Sequence, residues 1–544
     1  MNAGVLALNG DPMSWEPLSP LLLLDRAAAA FAGRPAVVAG AQSLTYGEFR
    51  DCSFKLAGAV RGLGAERGDR VAVLAHNTPM LLAAHYAVPA AAAVLVALNT
   101  RLKPAELAAI LDHAGARLLL CDSELEAPAQ AAAAIADTHI RVVVDAGEEG
   151  ELAKLTMASQ PLREQVRDER DLLSLNYTSG TTGDPKGVMY HHRGAFLQSI
   201  AMAFHARLGT DTAYLWTLPM FHCNGWCFTW AVTAAGGTHV CLPKVEPAEI
   251  WRLIREEGIS HLCAAPTVLS MIAHHPDAGA KPLPRRLRVC TGGAPPSPSL
   301  IARLDGLGLD VTHLYGLTES FGPIVICEPQ PEWSSADPEE LSRLVARQGV
   351  GNVIAVPPRV IGSDGKDVPS DGKTLGEIAL RGNDVMLGYY RAPELTQEAA
   401  PDGWFRTGDL AVRHADGYIE IRDRSKDVII SGGENIASVE IEQALASHPA
   451  VIEVAVVAAP DPHWGEVPVA YVTLQSNVEV QPEELIAHVK ARLAGFKVPK
   501  RIIFGELPRT STGKIMKYEL RGRLKATAGT ADDGAASTTK LGRG

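Results

Sequence analysis

The run Tyr177-Thr178-Ser179-Gly180-Thr181-Thr182-Gly183-Asp184-Pro185-Lys186-Gly187 is the segment of this chain best equipped for chemistry. Its glycines let the backbone approach a ligand closely and take up positive φ. Its hydroxyls add donors and Lys186 adds charge, a set that suits phosphate. The Gly-x4-Gly-Lys-Ser/Thr spacing of a Walker A loop is absent. Four other segments carry weaker signals. Tyr315-Gly316-Leu317-Thr318-Glu319 places a carboxylate after a glycine turn. Trp404-Phe405-Arg406-Thr407-Gly408-Asp409-Leu410 offers an Asp that could accept from two ribose hydroxyls or cap a helix. Asp423-Arg424-Ser425-Lys426-Asp427 is a charge cluster where the composition changes. Pro508-Arg509-Thr510-Ser511-Thr512-Gly513-Lys514-Ile515 holds a lysine after a glycine. Alone, the first and last of these four usually mark surface residues, the second is as readily a cap, and the third a solvated linker. His222-Cys223-Asn224-Gly225-Trp226-Cys227 looks superficially like a metal cluster, but no second ligand pair with finger-like spacing accompanies it.

The elements that must position these residues follow from the apolar pattern. Leu172-Leu173-Ser174-Leu175, Val71-Ala72-Val73-Leu74 and Leu118-Leu119-Leu120-Cys121 read as buried strands, and Pro104 to His113 as a helix. Strand–helix alternation implies an α/β fold with a largely parallel sheet. From Gly376 to Asp423 the texture becomes short strands between glycine turns, a small β-rich subdomain. After Lys426 an α+β module is expected. Ser438 is placed to cap a helix with Ile441 and Leu445 on one face. Val454, Val456 and Ala458 alternate as a strand. A second helix starts at Pro482, buries Leu485, Val489 and Leu493, and ends with Arg492 near its negative end and Gly495 just past it. From about Ala526 the chain has almost no large apolar group and reads as disordered.

Composition removes whole classes of function. The 544 residues allow a large core, and 51 basic against 62 acidic side chains give 51 − 62 = −11. An acidic balance disfavours a general binder of nucleic acid or anionic membrane, though backbone N–H groups can hold a small phosphate ligand without net positive charge. The eight cysteines sit mostly in apolar runs and form no disulfide framework. No signal peptide is evident. The longest apolar stretch, Tyr86 to Leu98, is shorter than the roughly 18 residues that span a bilayer. A soluble, cytoplasmic protein is expected.

Taken together and in order, the five segments resemble the AMP-forming, adenylate-forming enzyme superfamily of acyl-CoA synthetases, peptide-synthetase adenylation domains and luciferases. The resemblance runs from Leu44-Thr45-Tyr46-Gly47-Glu48-Phe49 to Lys514. Three stretches look most like the short- and medium-chain acyl-activating CoA ligases of plants and bacteria. They are Leu218-Pro219-Met220-Phe221-His222-Cys223-Asn224-Gly225-Trp226, Thr291-Gly292-Gly293-Ala294-Pro295-Pro296, and Lys426 to Ile436 with its Ser431-Gly432-Gly433-Glu434-Asn435 core.

The resemblance implies an N-terminal adenylation domain over residues 1–424, built of αβ-layered sheets with a β-rich subdomain at about 350–424. It implies a mobile C-terminal domain over 425–525 and a tail over 526–544. It implies ATP, Mg²⁺ and coenzyme A, with a small carboxylic acid as partner, no nucleic acid and no membrane span, and leaves a homodimer open. Thr178, Ser179, Gly180, Thr181, Thr182, Gly183 and Lys186 would hold the pyrophosphoryl part, and Thr178 and Glu319 the metal. Gly293, Ala294, Pro295, Tyr315 and Gly316 would line the adenine site. Asp409 and Arg424 would take the ribose, and Thr318 the α-phosphate. Lys514 would bridge carboxylate and α-phosphate. Lys426 would be the hinge, and Ser431, Gly432 and Gly433 would face the pantetheine arm. His222, Trp226, Trp230, Gly292 and Gly316 would shape the acyl pocket, with the tryptophans equally readable as core. A short or medium aliphatic or compact aromatic acid fits two bulky indoles. A carrier-protein thiol as acceptor, or a non-catalytic nucleotide binder, are the competing readings. One stretch departs from the pattern. Many relatives have Lys-Ala-Gly before a Pro-x-Asn turn, whereas this chain has Val88-Pro89-Ala90-Ala91-Ala92-Ala93 and then Ala97-Leu98-Asn99, which puts the packing there in question.

Overall fold

Leu118–Asp122 and Arg70–Leu74 are neighbouring parallel strands in the middle of a six-stranded sheet. The computed structural model from which they are read describes residues 15–179, 185–432, 434–475, 478–509 and 515–524. The sheet runs in the order Arg141–Asp145, Leu118–Asp122, Arg70–Leu74, Val94–Ala97, β1 (Leu172–Ser179) and β2 (Pro185–His191). All neighbours are parallel except the β1–β2 pair. Near-continuous apolar strands are what a sheet covered on its faces requires. One face packs on α1 (Pro104–Ala114), whose Leu107, Ile110 and Leu111 join Leu119 and Val96 in one core.

The chain divides into two compact units. The first comprises residues up to Thr212 with Cys223–Pro243 and Met386–Pro393, and contains the sheet above. The second comprises Ala213–His222, Lys244–Val385 and the residues from Glu394 onward. In the second unit, Ala213–Leu215, His261–Ala264, Leu287–Thr291 and β3 (Leu309–Leu317) form a parallel series. Gly322–Ile326 then returns antiparallel beside β3. The β-rich texture becomes a four-stranded antiparallel sheet of Arg359–Ile361, Gly376–Leu380, β4 (Phe405–Arg413) and β5 (Ile419–Arg424).

The C-terminal α+β module is present as expected. Along β6 (Val451–Asp461) alternate residues serve two cores. Val456, with Val454 and Ala458 partly buried, meets Ile441 and Leu445 of α2 (Ser438–Ala446) and Leu485 and Val489 of α3 (Pro482–Lys490). Ala455, Val457 and Ala459 meet Leu520 and Leu524 of a helix over residues 517–524.

Two local expectations need correction. Ser438 is the first helical residue and not the cap; Ala437 holds the cap position without a side-chain bond, and the Ser438 hydroxyl is taken by Lys517 (2.6 Å). The helix from Pro482 ends at Lys490, short of Gly495. The Arg492 guanidinium occupies the His488 carbonyl that a continuing helix would offer to the Arg492 N–H, which turns instead to Val489. The apolar run from Tyr86 divides between a helix, Pro79–Ala90, and the strand Val94–Ala97. The helix is closed by Ala92 at φ +56°, with its N–H on Pro89 and that of Ala93 on Val88. Alanine thus fills a left-handed position that glycine adopts with least strain.

Seven of the eight cysteines are buried, Cys52 is exposed, and none is joined in a disulfide. Among the described residues no helix is long and apolar enough to cross a membrane. The expected tail, 526–544, lies outside the described residues.

Candidate active site

In the first unit, the β1–β2 hairpin carries the phosphate-binding candidates. Thr178 pairs with Lys186, Tyr177 with Gly187 and Ser179 with Pro185, so Lys186 and Gly187 stand on a strand and not in the loop their composition suggested. Gly180, Thr181, Thr182 and Gly183 lie outside the described residues. Thr178 is half-buried. The Lys186 ammonium lies 5.7 Å from the centre of the Tyr389 ring. A Cβ on Gly187 would come within 3.2 Å of the Tyr177 ring and 3.3 Å of Tyr390, so glycine lets two tyrosines close over this strand. The Tyr177 hydroxyl meets His113 Nδ1 at 2.8 Å, and the His113 ring is edge-on to Tyr177 and Tyr390. Burial, and then Arg391, lower the His113 pKa, which keeps Nδ1 able to accept the tyrosine proton. His113, Tyr389 and Tyr390 escaped the sequence reading.

The same strand holds a second device. Cys223, Asn224, Gly225, Trp226 and Cys227 all have φ between +45° and +63°, a short left-handed helical turn. Such backbone costs about 1–2 kcal/mol per non-glycine residue and persists only when its surroundings determine it. Here they do. Fully buried Asn224 accepts at Oδ1 from Ser174 Oγ (2.7 Å) and Asn176 Nδ2 (2.6 Å), and its N–H donates to Asn176 Oδ1 (3.2 Å). Its carbonyl accepts from Thr229 Oγ1 (3.1 Å). Ser174 and Asn176 lie on β1, four and two residues before Thr178. The turn presents Trp226, 6% exposed. Trp230 is fully buried, with Nε1 on the His85 carbonyl, which favours the core reading for that indole. His222, in the second unit, is half-buried, and its N–H closes a turn on Pro219.

In the second unit the structure brings together three predicted nucleotide ligands. The Tyr315 hydroxyl donates to Asp409 Oδ2 (2.7 Å), and Arg424 Nε lies 3.1 Å from Asp409 Oδ1. The register explains it: Asp409 and Arg424 face each other across β4 and β5. Gly408, at φ +73°, gives its N–H to Glu377. Burial, and then Asp409, push the Tyr315 hydroxyl well above its ordinary range, so it remains a donor. The Asp409 carboxylate is nearly buried beside a half-exposed guanidinium, and a carboxylate with four lone-pair sites retains capacity for a diol. Gly316 admits no side chain, because a Cβ would sit 1.9 Å from the Gly322 carbonyl. Thr318 and Glu319 follow in a 3₁₀ turn, Thr318–Ser320, both half-buried. Gly292 is buried at the end of the strand Leu287–Thr291, and Gly293 (φ +85°), Ala294 and Pro295 lead to a helix capped by Ser297.

Lys426 sits in an exposed turn in which the Asp427 and Val428 N–H groups bond the Arg424 carbonyl. Ser431 is buried. Gly432 (φ +59°) is exposed, and a Cβ there would strike the Trp464 ring at 2.7 Å. Gly433 and Lys514 lie outside the described residues. The base of the segment that carries Lys514 is described: Arg509 and Ile515 form a β-bridge, and the Met516 N–H bonds the Pro508 carbonyl (2.8 Å). Thr178 and Glu319 each supply a hard oxygen of the kind Mg²⁺ prefers. Among the described residues no group of three or more His, Cys, Asp or Glu side chains could hold a metal by itself.

The sequence pattern of the AMP-binding enzyme family matches residues 24–390, and that of the AMP-binding enzyme C-terminal domain matches 440–514. An acetate–CoA ligase of Humulus lupulus is 42% identical over 94% of this chain and 95% of its own. A peroxisomal trans-cinnamate:CoA ligase of Petunia hybrida is 41% identical over 94% and 95%. Among solved structures, ATP-bound MatB from Rhodopseudomonas palustris superimposes with a TM-score of 0.82 at 26% identity, covering 94% of this chain and all of that one.

Proposed function

From the premise that the chain belongs to the AMP-binding enzyme family, we propose that it is an acid–CoA ligase, joining a carboxylic acid to coenzyme A with ATP going to AMP and pyrophosphate. The observation that carries the proposal is the Tyr315–Asp409–Arg424 constellation, a buried carboxylate set between a tyrosine and an arginine, which suits a ribose diol. Relatives similar over nearly their whole length are CoA ligases, which favours CoA over a carrier-protein thiol as acceptor.

A carboxylate is a poor acyl donor, because its leaving group would be oxide. In the proposed first step a carboxylate oxygen attacks the α-phosphorus and pyrophosphate departs, giving an acyl-adenylate. In the second the CoA thiol attacks the acyl carbon, the acyl C–O bond breaks and AMP leaves with that oxygen. Two anions meet in the first step, so positioning and charge stabilisation carry most of the burden. The β1–β2 hairpin, with Thr178 and Lys186, holds the pyrophosphoryl part. Asp409 and Arg424 fix the ribose, Gly293, Ala294, Pro295, Tyr315 and Gly316 the adenine, and Thr318 the α-phosphate. Lys514 stands between the reacting anions and must leave before the thiol enters, with Lys426 as the pivot between the two steps and Ser431, Gly432 and Gly433 along the thiol's path. Mg²⁺, held through Thr178 and Glu319, would neutralise phosphate charge. Domain limits at 424 and 525 and a cytoplasmic location belong to the same proposal.

Similar identity to an acetate ligase and a cinnamate ligase shows that overall likeness does not choose the acid. The acyl pocket is assigned to His222, Trp226, Gly292 and Gly316, with Trp230 left to the core, and the bulk of the Trp226 indole points to short or medium aliphatic or compact aromatic acids. Pyrophosphate release, with and without CoA across a panel of acids, tests this. Acid-dependent release completed to thioester only with CoA is expected, and C4 to C8 acids should exceed a C16 acid. Equal thioester yield on a carrier protein, or a preference for the C16 acid, would overturn the corresponding part.

A further inference from the structure

The end of β5, the start of α2 and the last helix are linked around Lys517, whose side chain is 17% exposed. Lys517, which opens the last helix, places Nζ 2.6 Å from Ser438 Oγ and 2.8 Å from Glu442 Oε1. Glu442 in turn accepts the Val456 N–H of β6 (2.8 Å), so its carboxylate is fixed to the module's central sheet. The Ser438 N–H donates to Asp423 Oδ2 at 2.6 Å, and Asp423 Oδ1 accepts the N–H of Arg424 (2.8 Å). Asp423 is 3% exposed and Ser438 fully buried. The cluster therefore connects the end of β5, the start of α2 and the last helix.

Its place in the chain gives it a consequence. Lys517 is three residues after Lys514, and the segment between has its base pinned by the Arg509–Ile515 bridge and by an Arg509–Glu453 ion pair. On the other side, Asp423 precedes Arg424, which pairs with Asp409. We propose that Lys517 is a positioning residue that fixes the segment bearing Lys514 relative to the strand that carries the ribose ligands. This rests on the reading that Lys514 acts in adenylate formation. Lys517 touches none of Tyr315, Asp409 or Arg424 among the contacts described, so it should govern the rate of the first step and not the hold on nucleotide.

The test uses the full chain, ATP–pyrophosphate exchange with an accepted acid, and thermal unfolding. Lys517→Met should lower kcat for exchange by roughly 10- to 10²-fold, the scale for a small misplacement of a reacting group, with the KM for ATP within about 2-fold. Lys517→Met also leaves Glu442 without its cation and lowers the melting temperature. The double variant Lys517→Met with Glu442→Gln removes both charges and should recover the melting temperature while exchange stays slow. Ser438→Ala, which keeps the ion pair, should lose less. Recovery of kcat together with stability in the double variant would show a purely structural role and overturn the inference. So would a Lys517→Met enzyme with unchanged kcat. Absence of exchange in the unaltered chain with every acid would overturn the functional reading itself, and the positioning role with it.

Discussion

The turn Cys223–Cys227 and the cluster around Lys517 both hold a segment of the proposed site, one with neutral amides and the other with charges. In the turn, Asn224 is fixed by Ser174 and Asn176 through short hydrogen bonds, against the resistance of five consecutive left-handed residues. In the cluster the backbone is ordinary, and the resistance is desolvation. Burial opposes the Lys517 charge, but Glu442 and Asp423 outweigh it and raise the lysine pKa above its usual value. Strain fixes a geometry only as well as the neighbouring hydrogen bonds define it. Charge holds over a longer distance but punishes the loss of either partner.

Four substitutions break or sharpen that contrast. Lys517→Met should have the largest effect on stability, about 3 kcal/mol, because an unpaired carboxylate remains among buried groups; urea unfolding measures it. Asn224→Ala should follow at about 2 kcal/mol, combining two donors left short of an acceptor with a left-handed alanine. It should also raise the KM for the acid more than that for ATP, since the turn carries Trp226. Equal costs for these two variants would erase the distinction between the devices.

Asp384 supplies a buried carboxylate without a cation. It is fully buried, accepts from Asn352 Nδ2 at Oδ2 (2.9 Å), and among the described residues its Oδ1 meets no donor. Burial raises its pKa from 3.8 to about 7. Between those values the folded chain binds a proton that the unfolded chain has released, so stability falls as pH rises through this window. Asp384→Asn cannot ionise, so the melting temperature of the variant relative to the unaltered chain should climb between pH 5 and pH 8. A constant difference would mean that Asp384 does not titrate there. The smallest effect is expected at Ala92. Ala92→Gly relieves a left-handed alanine and should stabilise by about 0.5–1 kcal/mol; destabilisation would show that the methyl group's packing outweighs the strain.

What was legible in the sequence was local. Glycine beside hydroxyls and lysine marked the β1–β2 hairpin, and Gly-Asp marked the residue that meets Tyr315 and Arg424. The alternation of Val454, Val456 and Ala458 marked β6 as a strand but named only one of its two core faces. The contacts that hold the site are not local. His113 reaches Tyr177 across 64 residues, Asn224 reaches Ser174 across 50, and Lys517 reaches Ser438 across 79. Strand order and helix packing decide those meetings, and no spacing in the chain encodes them. The Ser438 expectation failed for the same reason: a serine before a helix is a good cap until a distant lysine claims its hydroxyl. The left-handed turn left a trace only in Asn224-Gly225, a pair that tolerates positive φ, followed by a tryptophan and a cysteine that do not favour it.

In the proposed reaction a carboxylate oxygen attacks the α-phosphate and is carried away on AMP. A single-turnover reaction with acid labelled in both carboxylate oxygens by ¹⁸O, analysed by mass spectrometry of the nucleotide, tests it directly. The account predicts one ¹⁸O per AMP and none in pyrophosphate. Label in pyrophosphate or inorganic phosphate, or thioester formed with unlabelled AMP, would contradict it.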